Sequence, residues 1–132
     1  MAVADRTTRQ ARQDRTRQHD LKLAADTVAW ANETLALTFG EIGAVVDADE
    51  RTVRRWRGSE VAPRTRHQAS LEALVDLRHL LEQVFANRAE ATAWLEAPLR
   101  GLGGHTPLSR LRRGRLQEVV DVLTTMESGA FV

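Results

Sequence analysis

The chain has 132 residues, 42% of them hydrophobic, with no cysteine and a formal net charge of +1. Such a length suits one compact domain, or two small lobes sharing a core, and nothing larger. Without cysteine there is no disulfide framework, thiolate metal site or cysteine nucleophile, and no apolar run approaches the roughly 20 residues of a membrane span.

Residues 1–20 are polar, with Arg6, Arg9, Arg12 and Arg15 at intervals of three and no accompanying apolar stripe. They read as a flexible arginine-bearing arm, neither secretory signal nor anchor, so a cytoplasmic protein is expected. From Leu21 the pattern turns helical through Ala24, Ala25, Val28, Ala31 and Leu35. Thr38-Phe39-Gly40-Glu41 then reads as a capping box. It opens a short helix, Phe39 to Val46. Asp47-Ala48-Asp49 interrupts the pattern, and Asp49 is placed to cap a third helix from Glu50, with Val53 and Trp56 inward and Gly58-Ser59 at its end. A long helix from about Gln68 to Ala86 carries the stripe Leu71, Leu74, Leu77, Leu81, Val84 and Phe85.

Ala89, Ala93, Trp94 and Leu95 mark a shorter helix that runs to Pro98, after which Gly101-Leu102-Gly103-Gly104 breaks the periodicity. Thr106-Pro107 restarts it, with threonine at the cap and proline at the first helical position. Helical spacing continues through Leu108 and Leu111, pauses at Gly114, and resumes from Leu116 to Met126 until Ser128-Gly129. No stretch alternates with period two, so the expected fold is all-α.

Charge is banded along this order. With histidine neutral, residues 1–20, 51–67 and 100–115 carry +2, +5 and +5, and the stretches 21–50, 68–99 and 116–132 carry −5, −3 and −3. Partners are therefore met by particular surfaces. Phe39 to Arg57 has the layout of a helix-turn-helix, whose second helix enters the major groove. Glu50, Arg51, Arg54 and Arg55 lie on the candidate reading face, where arginine can take guanine's two acceptors or a phosphate. Thr52 is a candidate phosphate contact, and Arg57, Arg64 and Arg66 extend the basic band. An ordinary helical hairpin with a solvated cationic face is the alternative.

The second informative stretch is Trp94 to Gly129, a helix pair joined by a glycine-bearing turn. Its spacing of Trp94-Leu95, Pro98, Leu102-Gly103-Gly104, Pro107-Leu108, Leu111, Gly114, Val119, Leu123 and Gly129 resembles the Xre/MbcA/ParS family of antitoxins. Leu37-Thr38-Phe39, Glu41-Ile42-Gly43, Val46-Asp47-Ala48 and Arg51-Thr52-Val53-Arg54-Arg55-Trp56 strengthen the likeness, which covers roughly residues 35 to 132. Leu99 departs from it, standing where the family often has asparagine, and the 1–20 arm lies outside it. The resemblance implies a Xre-like helix-turn-helix bundle joined to a C-terminal helical region that covers the active-site cleft of a RES-fold, NAD-degrading toxin. It also implies binding to the promoter DNA of its own operon. The implied toxin-binding residues are Trp94, Leu95, Pro98, Leu102, Gly103, Gly104, Pro107, Leu108, Leu111, Phe131 and Val132.

Nothing in the sequence argues for catalysis, a cofactor or a metal. His19, His67, His79 and His105 are dispersed and read as surface or interface residues. Trp30, Trp56 and Trp94 read as core or interface aromatics. The Gly101–Gly104 segment has no preceding strand and no Gly-Lys-Ser/Thr, so its glycines read as turn residues with positive φ.

The expected division is a 1–20 arm, a 21–67 DNA-binding domain, a 68–86 connecting and dimerisation helix, and an 87–132 toxin-binding region. A homodimer is expected because the long stripe exceeds what a small helix-turn-helix lobe can cover and because two-fold operators favour two-fold proteins. The chain ends in Ala130-Phe131-Val132, read either as folding back on the last helix or as inserting into a partner's cleft. A stand-alone helix-turn-helix regulator with a dimerising or ligand-sensing C-terminal lobe is the competing reading.

Overall fold

A computed structural model describes residues 2–129 of the chain, with the side chains of residues 2–5 left aside. Among the described residues there are seven α-helices, one short 3-10 turn and no strand, in keeping with the all-α expectation. Helix α1 spans Ala2–Glu33. Residues 2–20, expected as a flexible arm, are the first turns of this helix, with side chains 6–19 exposed. The segment has no glycine or proline after Met1 and is rich in alanine, arginine and glutamine, all good helix formers. The packed half of the same helix, downstream of Leu21, supplies the nucleus, and extending a helix costs far less than starting one. An apolar stripe is needed to dock a helix and not to prolong it.

The docked half of α1 buries Ala24, Val28 and Ala31, and its end is sharp although no glycine is there. Ala36 takes φ 56°, the Leu37 amide donates to Ala31 O at 3.2 Å, and the Asn32 side-chain amide donates to Leu37 O at 2.9 Å. Leu35 and Leu37 are thereby turned into the core. Helix α2, Phe39–Val46, begins with the expected capping box: the Glu41 amide donates to Thr38 Oγ1 at 3.0 Å and the Thr38 amide to Glu41 Oε1 at 2.9 Å. Asp47 turns the chain in the left-handed region at φ 55°, and α3, Glu50–Arg57, starts at Asp49 as the sequence predicts. The turn is tight. A Cβ on Gly43 would collide with the carbonyl oxygen of Ala48, so only glycine fits there.

Helix α4, Thr65–Val84, starts three residues before the predicted Gln68 because His67 is buried and extends the inward row to 67, 71, 74, 77 and 81. Phe85 then takes an extended conformation. Helix α5 covers Arg88–Leu95, capped by Asn87 Oδ1 on the Glu90 amide at 2.9 Å, and the 3-10 turn covers Arg100–Leu102. Helix α6, Pro107–Arg112, has its Thr106 cap with Ser109 N at 3.0 Å, and α7 covers Leu116–Glu127.

All seven α-helices share one core. Its buried members run from Ala24 on α1 through Ile42, Val46, Val53 and Trp56 to Leu111, Val119 and Leu123. The α4 stripe was expected to need a second copy to cover it. Instead α7 packs along α4, with α1, α2 and α5 also against it, and Leu74 and Leu77 are fully enclosed. The leucines of the stripe therefore need no second copy to cover them. The described residues of the 21–67, 68–86 and 87–132 segments are likewise one packed body, because α6 lies on α2. Gly114, at φ 75°, brings the chain so close that a Cβ there would sit 2.8 Å from Ala44 O. Arg112 reaches Glu41 at 3.7 Å across the same junction.

Gly114→Ala is expected to lose about 1–2 kcal/mol from the left-handed backbone and about 1–3 kcal/mol more from the backbone it displaces. Gly104→Ala, at φ 84° with open space around the new Cβ, should lose only the first of these. Urea denaturation of the two variants measures the difference.

Candidate functional site

Helix α3 divides into an inner and an outer face. Val53 and Trp56 are enclosed, which at 100° per residue turns Arg51 directly outward with Arg54 and Arg55 on either side of it. These three form the face that the sequence assigns to DNA. The helix is anchored at its start by Asp49 Oδ1, which accepts the Thr52 amide at 2.7 Å. That hydrogen bond, first, and then the Thr52 hydroxyl and the charges of Arg51 and Arg66, hold the Asp49 carboxyl below the usual carboxylate range. A lowered acid stabilises the fold above its ordinary pKa, and the contribution disappears as pH falls through the lowered value.

Several arginines of this region are already partnered. Arg54 forks onto Glu50 Oε1 with Nη2 at 2.7 Å and Nε at 3.2 Å, and its guanidinium lies 4.8 Å from the Phe39 ring centroid. Arg55 is 3.7 Å from Glu60. Arg57 turns away from the outer face to Glu33 of α1, also at 3.7 Å. Glu50, expected on the reading face, thus holds Arg54 in place. All three pairs are solvent-exposed and worth at most about 1 kcal/mol each, so a phosphate can displace the carboxylate at little cost.

Beside this face lies a cationic cleft of about 160 Å³, lined by Thr52, Arg55, Trp56, Arg64, Arg66 and His67 among others. Thr52 and the two arginines that follow α3 therefore meet in one cleft. His67 does not sit at the surface as expected. It is 4% exposed, packs edge-on against Trp56 at 5.2 Å and 72°, and its Nε2 accepts from Arg66 Nε at 3.2 Å. The spacing of four from His67 to Leu71 was the available signal, hidden by the residue's polarity.

The C-terminal surface is built on a closed loop. Leu99 is extended, its amide donates to His105 O at 3.1 Å, and its carbonyl accepts from Leu102 N at 3.1 Å and Gly104 N at 2.8 Å. These bonds are all backbone, so the loop closes with leucine at this position. Gly103 and Gly104 turn it at φ 64° and 84°. Of the residues assigned to toxin binding, Leu95, Leu102, Pro107 and Leu111 are interior and hold the surface from beneath. Pro98, Gly103 and Gly104 are exposed, and Trp94 and Leu108 are half-buried. Trp94 stacks at a tilt on Phe85, 5.5 Å between ring centres. Phe131 and Val132 lie outside the described residues. Among the described residues no group of three His, Asp or Glu side chains could hold a metal ion, and no helix is long and apolar enough to cross a membrane.

Residues 80–129 match the description of the C-terminal toxin-binding domain of the antitoxins Xre/MbcA/ParS. That match begins inside α4, upstream of the boundary expected at residue 87. The mycobacterial cidal antitoxin MbcA of Mycobacterium tuberculosis, and that of Mycobacterium bovis, is 34% identical over 112 residues, covering 85% of this chain and 98% of the relative. A probable mycobacterial cidal antitoxin of M. tuberculosis is 28% identical over 113 residues, 86% of this chain and 96% of its own length. The crystal structure of the M. tuberculosis MbcT-MbcA toxin-antitoxin complex contains a chain similar at a TM-score of 0.53 and 35% identity, covering 82% of this chain and 96% of that one.

Leu111→Ala should cost about 2–5 kcal/mol, the range for emptying an enclosed leucine site, whereas Leu108→Ala should cost well under half of that. Thermal unfolding of the two variants distinguishes the support of the surface from the surface itself.

Proposed function

The chain belongs to the Xre/MbcA/ParS antitoxin family, and from that premise we propose that it holds a RES-fold, NAD-degrading toxin inactive through its C-terminal surface and represses its own operon through α3. The observation that carries the first half is where the closed loop falls. The segment matching the toxin-binding domain, residues 80–129, contains the closed loop at Leu99–His105, where Pro98, Gly103 and Gly104 are presented by a rigid floor of Leu95, Leu102, Pro107 and Leu111. A preformed loop of this kind loses little conformational entropy on docking, which favours tight inhibition of a cleft.

Support for the second half is the outer face of α3. Arg51, Arg54 and Arg55 lie on one side of a helix capped at its start by Asp49, the arrangement that places arginine forks against base edges. Regulation without catalysis is the role this implies, in the cytoplasm, where both operon and NAD are found. With the α4 stripe covered inside the chain, the remaining argument for a homodimer is operator symmetry, so pairing on DNA is the form of dimer proposed.

The test is expression of the neighbouring reading frame with and without this chain. Lethality alone and growth with the chain present is the expected result, and a neighbour that is harmless alone would favour a stand-alone regulator. Pro98→Ala, at an exposed position, should leave the fold intact, and Trp94→Ala/Pro98→Ala should weaken the toxin complex by about 2 kcal/mol or more if these side chains are central, beyond any stability lost with the Trp94 packing on Phe85. Deleting Ala130–Val132 should weaken neutralisation and leave unfolding unchanged if the end of the chain enters the cleft. A drop in melting temperature with full neutralisation would assign it to the chain's own last helix instead. For DNA, Arg51→Ala or Arg54→Ala should cost about 1–3 kcal/mol at the promoter where a base is read. Unchanged promoter affinity in the Arg51→Ala/Arg54→Ala/Arg55→Ala variant would rule out this face.

A further inference from the structure

The first five turns of α1 have no part in the assignments above. Side chains 6–19 are exposed, so this length of helix buries nothing. Between Arg6 and Arg17 it carries five arginines and one acid, Asp14, and the acid is engaged by Gln10, whose amide donates to it at 3.0 Å. None of the five arginines forms an ion pair among the described residues, in contrast to Arg54, Arg55 and Arg57 of α3. The result is a helical row of guanidinium groups without ion-pair partners among the described residues, held in register by a helix whose docking is downstream.

Its position ties it to α3. Thr16, Asp20, Leu23, Ala24 and Thr27 line a groove of about 210 Å³ with Pro63, Gln68, Leu71 and Glu72, so α1 passes beside the loop that leads from α3 into α4. Pro63 directly precedes Arg64, which shares the cationic cleft with Arg55 and Arg66. Arg12 and Arg9 lie four and seven residues before Thr16, hence on the face of α1 that looks toward this loop. The projecting helix therefore leaves the body from the edge of the basic band and carries Arg9 and Arg12 on that side. From Thr16 back to Ala2 it reaches about 21 Å at about 1.5 Å per residue.

We propose that this extension of α1 is a second nucleic-acid contact, a sequence-independent clamp on the phosphates of duplex DNA flanking the site engaged by α3. The inference rests on α3 binding DNA. Charge complementarity selects the partner: the segment has no apolar row for a protein groove, and closely spaced arginines with no carboxylate paired to them among the described residues are matched by a phosphate backbone. The clamp adds affinity and footprint and no base preference, since phosphates carry no sequence.

The experiment compares the full-length chain with a variant in which Arg6, Arg9, Arg12, Arg15 and Arg17 are glutamine, which preserves helix propensity. Circular dichroism establishes that both are equally helical. Dissociation constants for the promoter duplex and for a scrambled duplex of equal length are measured over a series of salt concentrations. Loss of three phosphate contacts lowers the slope of log affinity against log salt by about 2.7, so affinity falls about forty-fold less across a four-fold rise in salt. The ratio between promoter and scrambled duplex should stay the same, and the protected footprint should shorten on one side. Equal slopes and footprints for variant and parent would overturn the clamp while leaving α3 in place. A parent chain that binds neither duplex at any salt would overturn both. A variant whose DNA binding is unchanged but whose capacity to neutralise the toxin is lost would assign the helix to a protein partner and likewise refute the proposal.

Discussion

The burial of α4 from several sides is the constraint on which everything else in this molecule depends. A helix whose inward row is His67, Leu71, Leu74, Leu77 and Leu81 cannot remain in water, and each leucine enclosed contributes about 1.5–3 kcal/mol. Helices α1 and α2 cover it together with α7 and α5, so the part of the chain that carries the arginine-rich helix and the part that carries the toxin-binding match are stabilised by the same side chains. Neither can be removed without exposing the other's core. Gly114 against Ala44 and Arg112 against Glu41 close the seam where α6 meets α2.

That shared core explains the division of labour among the residues of each surface. On α3, Val53 and Trp56 fix the rotation of the helix, and the rotation alone decides that Arg51, Arg54 and Arg55 face outward while Arg57 meets Glu33. In the C-terminal part, Leu95, Leu102 and Leu111 fix the loop, and backbone hydrogen bonds at Leu99 fix its shape. In both places the buried residues position and the exposed ones remain available for a partner. The distinction matters for mutagenesis, because substituting a positioning leucine removes a surface by unfolding it and not by altering its chemistry.

The electrostatics follow from geometry as much as from composition. A chain with nearly balanced charge nevertheless presents concentrated cationic zones, because its acids are spent on caps and on short exposed pairs. Asp49, Glu41 and Glu90 serve helix starts, and Glu50, Glu60 and Glu33 sit against arginines of α3. Such pairs hold guanidinium groups in place at small energetic cost, which keeps them available for exchange with a polyanion.

The sequence by itself determined what depends on hydrogen bonds within about four residues or on a row of side chains along one helix. The capping box at Thr38, the Asp49 and Thr106 caps, the inward Val53 and Trp56 and the absence of strands were all legible in it, because each is a local consequence of residue type. The family was legible through the spacing of its glycines and prolines. What only the tertiary structure decided is which faces meet. That α7 covers the α4 stripe, that His67 is interior, that Gly114 touches Ala44 and that Arg57 turns to Glu33 all depend on residues distant in sequence, and no local pattern encodes such a distance. The helical state of residues 2–20 belongs to the same class. Side chains 6–19 are exposed, and the segment is helical because the docked turns beyond Leu21 supply the nucleus that it lacks.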